Sequence, residues 1–169
     1  MEVKVVEIPI ETKWAMAAKG LTGALYAHLS ALYDSVGKER YEEIVRQIWS
    51  KIGQGCAEEA KFLGMTGDSA KSTAEAGVTM CMCSMGPEYK MEVAEASEDR
   101  TVIRILECPW KNRMSEFGIS DDLLSACDVA FWDHFVKGLN PNVTMRHGKQ
   151  MHRGDPYCEW IFENKGQSG

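Results

Sequence analysis

The pattern of apolar and polar positions changes character near residue 89. Before it, apolar residues recur at helical spacing: Trp14, Leu21, Leu25, Leu29 and Leu32 share one face between Glu11 and Ser35. Gly37 breaks that run. A second helix is predicted to reach about Leu63, with Tyr41, Ile44, Val45, Ile48, Trp49, Ile52 and Cys56 turned inward. A third begins at an Asp68 or Ser69 cap and is stopped by Gly86 and Pro87. His28 lies beside the first apolar face with no partner in its local spacing, which reads as structural or exposed.

Beyond residue 89 the period drops to two. "YKMEVAE" and "RTVIRILE" read as strands about the acidic turn "ASED". "CPWKNRMSEFG" is expected to be a loop opened by the rigid Pro109. Ser120 is predicted to cap a fourth helix, with Asp121 and Asp122 at its positive end and Leu124, Cys127, Phe131 and Phe135 inside. Two last strands, "VTMRHGKQMH" and "YCEWIFE", are joined by the turn formers of "RGDP" and read as antiparallel neighbours. In the final strand Cys158, Trp160 and Phe162 alternate with Glu159 and Glu163, so a thiol points inward beside two aromatics.

The class is therefore α+β: a helical amino-terminal half packed on a four-stranded antiparallel sheet, with one intervening helix. Residues 1–164 read as a single domain and 165–169 as a loose tail.

Composition narrows the function. Of 169 residues, 44% are hydrophobic and 26% charged, the profile of a soluble globular chain. A net charge of −6 with no basic cluster argues against a nucleic-acid partner. No apolar run is long enough for a signal peptide or a membrane span, so the expected setting is cytoplasmic with reduced thiols. The expected partner is a small-molecule substrate or ligand, and assembly into a homo-oligomer is left open. The six cysteines are then buried thiols, ligands or nucleophiles rather than disulfides. Ten methionines and five tryptophans suit a soft, polarizable interior or pocket.

Cys56 belongs to the stripe of the second helix and reads as packing. Cys81 and Cys83 are two apart on a helix, about 200° around it, so they do not readily chelate one ion; packing or the lining of a methionine-rich pocket suits them better. Cys108, Cys127 and Cys158 stand apart. If the two hairpins share one sheet crossed by the fourth helix, all three thiols approach one rim of the core. Such a trio suits zinc, an iron–sulfur cluster or a thiolate nucleophile, although the spacings of 19 and 31 residues match no compact metal signature. Asp128 and Asp155 are candidate proton acceptors, with a helix flank and a turn as their plain alternatives. His147 and His152, five apart on one strand, would face opposite ways, while His134 follows Cys127 by seven and shares its face. Arg104 and Arg146 are candidates to hold a substrate carboxylate by bidentate pairing.

Four motifs in order carry a likeness: Cys108-Pro109, Cys127-Asp128, Asn140-Pro141, and Gly154 through Trp160. Together they resemble the L-2-amino-thiazoline-4-carboxylic acid hydrolase-like family. The closing hairpin is also similar to the 4-vinyl reductase small-molecule-binding domain, although Gln150 stands where that pattern tends to carry cysteine. The resemblance implies helices against an antiparallel sheet. It also implies hydrolysis of a C–N bond in a non-peptide ring, a cyclic amidine or thiazoline-type carboxylate opened by water. In that reading Cys108 is nucleophile or metal ligand, Cys127 and Cys158 complete the site, and Asp128 handles the proton. Arg104, Arg146 and Trp160 hold the substrate. The alternative is a non-catalytic sensor or carrier domain that binds a ligand, cofactor or metal in the same place, and a third reading leaves the cysteines as core only.

Overall fold

A computed structural model describes residues 6–117 and 122–166. Three helices come first: α1 (Ile10–Val36), α2 (Lys38–Phe62) and α3 (Ala70–Met85). The hairpin β1 (Lys90–Ala96) and β2 (Arg100–Glu107) leads into α4 (Pro109–Phe117) and α5 (Asp122–Leu139). The strands β3 (Val143–His147) and β4 (Cys158–Asn164) close the chain. All pairings are antiparallel and the order is β1-β2-β4-β3, so β4 lies in the middle of the sheet. The fold is α+β with helices on one sheet face, as the patterning predicts.

Alternation decides which face the helices cover. Ile103, Ile105, Trp160, Phe162 and Val143 are buried in the same core as Ala74, Met80, Trp132 and Phe135 of α3 and α5. On the other face Arg100 pairs with Glu95 and Glu163, Arg104 with Glu92 and Glu159, and Arg146 with Glu163. These rungs of alternating charge flank Val102 and Ile161, and they let an open sheet face meet water.

Small residues decide how closely α2 and α5 pack. The buried side of α2 is Tyr41, Val45, Trp49, Gly53, Ala57 and Ala60. A Cβ on Gly53 would stand 2.3 Å from the carbonyl oxygen of Phe131, and one on Gly138 would stand 2.7 Å from the Ala57 Cβ. The inward face is therefore rotated from the expected stripe, and Ile48 and Ile52 are exposed. In α1 the correction is similar: Ala18, Thr22, Tyr26 and Leu29 are buried, while Leu21 is exposed and Trp14 partly so. Thr22 can be buried because its hydroxyl donates to Ala18 O at 2.9 Å. Trp14 instead donates its indole N–H to Cys83 O at 3.2 Å, and His28 is exposed with Nδ1 2.7 Å from Ala24 O.

Ser69 is the cap of α3, in a capping box closed by Ser72. The expected loop after Cys108 is a helix, α4. Pro109 occupies its first position, where a missing N–H costs nothing and φ is already helical. Ser120 and Asp121, the expected cap of α5, lie outside the described residues, as do residues 167–169 of the expected tail. Lys165 is tied down, its N–H donating to Asn142 O at 2.7 Å. The last correction concerns β3, which stops at His147. Residues 148–157 form a longer connection with a 3₁₀ turn at Met151–Arg153, and the Asp155 carboxylate accepts from Gln150 N–H at 2.8 Å. Asp155 thus has a turn-building role. Among the described residues no helix is long and apolar enough to cross a membrane.

Candidate ligand-binding cavity

The helical layer does not close fully over the sheet. It leaves a cavity of about 410 Å³, within the range of small-molecule sites. Leu21 and Leu25 of α1, Trp49 and Cys56 of α2, and Cys81 and Met85 of α3 wall one side. Trp110 and Met114 of α4 and Asp128, Phe131 and Trp132 of α5 wall another. The sheet side contributes Ile105, His147, Cys158 and Trp160, with Gln150, Met151 and His152 from the connection before β4.

Five of the six cysteines line it: Cys56, Cys81, Cys108, Cys127 and Cys158, while Cys83 is exposed. The predicted trio is therefore gathered in one place, together with Asp128 and Trp160. Cys56, read from the sequence as packing, joins them, as does Cys81, for which the sequence reading is packing or the lining of a methionine-rich pocket. Arg104 and Arg146 do not. Both sit on the opposite sheet face, held by Glu92, Glu159 and Glu163, because they fall on the other parity of their strands from Ile105 and His147. His134 is exposed and turned back on Ala130 O at 3.1 Å. His147 and His152 both line the cavity, contrary to the strand parity argument, since the strand ends between them.

The thiols are neutral. Burial pushes Cys108 and Cys127 up to about 12 and Cys56 up to about 11. Burial also raises Cys81 and Cys158. The negative charge of Asp128 adds to the rise at Cys81, Cys108, Cys127 and Cys158. Local donors oppose it. The N–H groups of Trp110 and Lys111 at the start of α4 bond to the Cys108 sulfur, and Met151 N–H donates to Cys158 Sγ at 3.2 Å. Cys127 is held by its own turn, donating to Leu123 O at 3.5 Å, with the Tyr41 hydroxyl 3.7 Å away. Desolvation wins over these bonds.

The sign of the resulting pH effect follows. A thiol that ionises near 9 when unfolded but near 12 when folded favours the folded state below pH 9. That contribution is lost as pH rises through 9 to 12. Thermal unfolding in this window is expected to show a falling melting temperature, with a shallower fall in Cys108→Ser and Cys127→Ser. A flat profile in the parent protein would contradict the neutral-thiol account.

The other polar element is a carboxylate–imidazole pair. His147 Nε2 lies 3.1 Å from Asp128 Oδ2, yet it is not aligned for a hydrogen bond, and among the described residues the buried Nε2 has no hydrogen-bond partner. Among the same residues no group of three His, Cys, Asp or Glu side chains is arranged to hold a metal ion. The zinc and iron–sulfur expectation thus finds no supporting geometry in the cysteine trio.

Residues 15–162 match the sequence profile of the L-2-amino-thiazoline-4-carboxylic acid hydrolase family. The chain belongs to this family. No curated protein matches the sequence significantly. Among solved structures, the phenol-responsive sensory domain of the transcription activator PoxR, determined with phenol, is similar in fold. It has a TM-score of 0.62 at 16% identity, covering 86% of this chain and 75% of that one. A trafficking protein particle complex subunit 3 from Naegleria fowleri, covalently bound to palmitic acid, has a TM-score of 0.60 at 13% identity. It covers 89% of this chain and 96% of that one. At such identities the likeness is one of fold.

For this member of the hydrolase family, the sequence conceals α4 and with it two parts of the site. Trp110 and Met114 face the cavity only because the segment is helical. The signal present is a proline at a helix start followed by Trp110, Met114 and Phe117 at spacings of four and three, one face of a short helix.

Proposed function

We propose that the domain binds a small, predominantly apolar organic molecule in the cavity between its helices and sheet. The observation that carries this reading is the chemistry of the lining: aromatic rings, methionines and neutral thiols around a space of small-molecule size. Burying apolar ligand surface there is worth about 25 cal/mol per Å² before association costs. The phenol present with the PoxR sensory domain is consistent with such a role for this fold.

A second reading, hydrolysis of a cyclic amidine or thiazoline-type carboxylate, is favoured by the family and by one local arrangement. Cys108 stands at the N-terminus of α4, where backbone N–H groups stabilise sulfur charge, and the Asp128–His147 pair lines the same cavity. In this reading Asp128 or His147 takes the Cys108 proton, and Cys127 and Cys158 shape the wall. With Arg104 and Arg146 outside, the carboxylate would have to be held by other groups.

The two readings separate in one experiment. Intrinsic tryptophan fluorescence is titrated with indole as a neutral aromatic probe, and 2-amino-thiazoline-4-carboxylate is assayed for ring opening. Saturable binding without turnover supports the first reading. Turnover lost in Cys108→Ser with the fold intact supports the second. Neither binding nor turnover would sink both.

A further inference from the structure

Gln150 is a buried polar residue whose side chain the fold leaves idle. It is 7% exposed and lines the cavity in the connection before β4. Its backbone is engaged on both sides. The N–H donates to the Asp155 carboxylate at 2.8 Å, and the carbonyl accepts from Arg153 N–H at 2.9 Å across the 3₁₀ turn. One residue on, Met151 N–H donates to Cys158 Sγ. These bonds fix the point from which the side chain springs. Among the described residues the Gln150 carboxamide makes no hydrogen bond, and its nitrogen and oxygen are not sealed off as the Tyr26 hydroxyl and His147 Nε2 are. With so little of the residue exposed, the opening left to the amide is the cavity it lines.

The other polar groups of the lining have company. Ser84 donates to Met80 O at 2.8 Å, and the Tyr89 hydroxyl has the Cys108 sulfur within hydrogen-bond reach. His147 stands 3.1 Å from Asp128, Lys111 and His152 are each engaged, and Glu59 is exposed. Gln150 differs from all of these in being buried, neutral and without a bonding partner. An amide kept from water with its groups unpaired carries a desolvation penalty, which a complementary ligand removes. What it offers is an acceptor oxygen and a donor nitrogen side by side.

We propose that Gln150 selects, among apolar rings, one that carries an N–H beside a C=O, a lactam edge that exchanges two hydrogen bonds with the carboxamide. The ring N–H donates to Gln150 Oε1, and Gln150 Nε2–H donates to the ring carbonyl. The apolar body of the ligand lies among the aromatic and methionine side chains of the wall. This rests on the cavity being the binding site and adds the polar group of its ligand.

Four bicyclic probes of nearly one shape test it: oxindole with both groups, indole with the N–H alone, 2-indanone with the carbonyl alone and indane with neither. Each is titrated calorimetrically into the full chain at neutral pH. Oxindole is expected to bind about tenfold more tightly than indane, with indole and 2-indanone between them. Gln150→Leu is expected to lower oxindole affinity about tenfold and to leave indane binding no weaker. The Gln150 side-chain N–H signals in an NMR spectrum give a readout that stands even if Gln150→Leu fails to fold. They are expected to shift at saturation with oxindole and to hold still with indane. Oxindole no tighter than the other three probes overturns the inference while upholding the cavity. An oxindole preference that persists in folded Gln150→Leu, or Gln150 signals indifferent to oxindole, also overturns it. Failure of all four probes to bind overturns the cavity reading and this inference together.

Discussion

Trp132→Ala is expected to destabilise the protein by about 3–5 kcal/mol, the range for deleting a large buried aromatic. Trp132 is 2% exposed and touches both the helical layer and the sheet. Its ring meets Phe131, Phe135, Trp160 and Phe162 at centroid distances from 4.6 to 5.7 Å. Gly77 on α3 makes room for it, since a Cβ there would stand 2.8 Å from the indole. The void left by alanine adjoins the ligand cavity, so affinity for indole should fall as well. Urea unfolding followed by circular dichroism measures the first effect, and a loss below about 1 kcal/mol would mean that Trp132 is not the keystone of the core.

The second large effect comes from one methyl group. Gly53→Ala is expected to cost about 1–3 kcal/mol despite the better helix propensity of alanine. The added Cβ would meet the Phe131 carbonyl, a backbone atom that moves only if α2 and α5 separate. Gly55→Ala is the matched control. Nothing lies within 4 Å of a Cβ there, so the propensity gain of about 1 kcal/mol should appear in full. Opposite signs two residues apart on one helix would confirm the α2–α5 seam. Stabilisation by both substitutions would show that the helices are not in close contact.

The fold is legible in the chain because its periods differ. A period near 3.6 in the first half and two in the second divide helices from strands, and turn residues mark most boundaries. What the pattern misses is decided by tertiary packing. The buried stripe of α2 follows Gly53, Ala57 and Ala60 rather than Ile48 and Ile52, because small residues permit close approach, and a hydrophobicity pattern gives alanine and glycine little weight. The run after Cys108 does space Trp110, Met114 and Phe117 as one helical face, but over so short a stretch that the proline and the polar residues read equally as a loop.

The site is legible in part for the same reason. Cys108, Cys127 and Cys158 stand out by their positions along the elements and by a family likeness, and they do line one cavity with Asp128 and Trp160. Arg104 and Arg146 are candidates on chemistry alone. Strand parity, once the register is known, sends them to the charged outer face, where Arg146 beside Glu163 holds that carboxyl below its usual range. The histidine pair fails the other way: parity does not carry across a strand end that the sequence leaves unmarked.

The most direct test of the cavity as the binding site is a methionine-methyl NMR spectrum recorded with and without saturating indole. Met85, Met114 and Met151 line the cavity, whereas Met16 is exposed on α1. The account predicts that the three cavity methyl signals shift and Met16 does not. Shifts confined to Met16 and other exposed methionines, or no shifts at saturation, would contradict it.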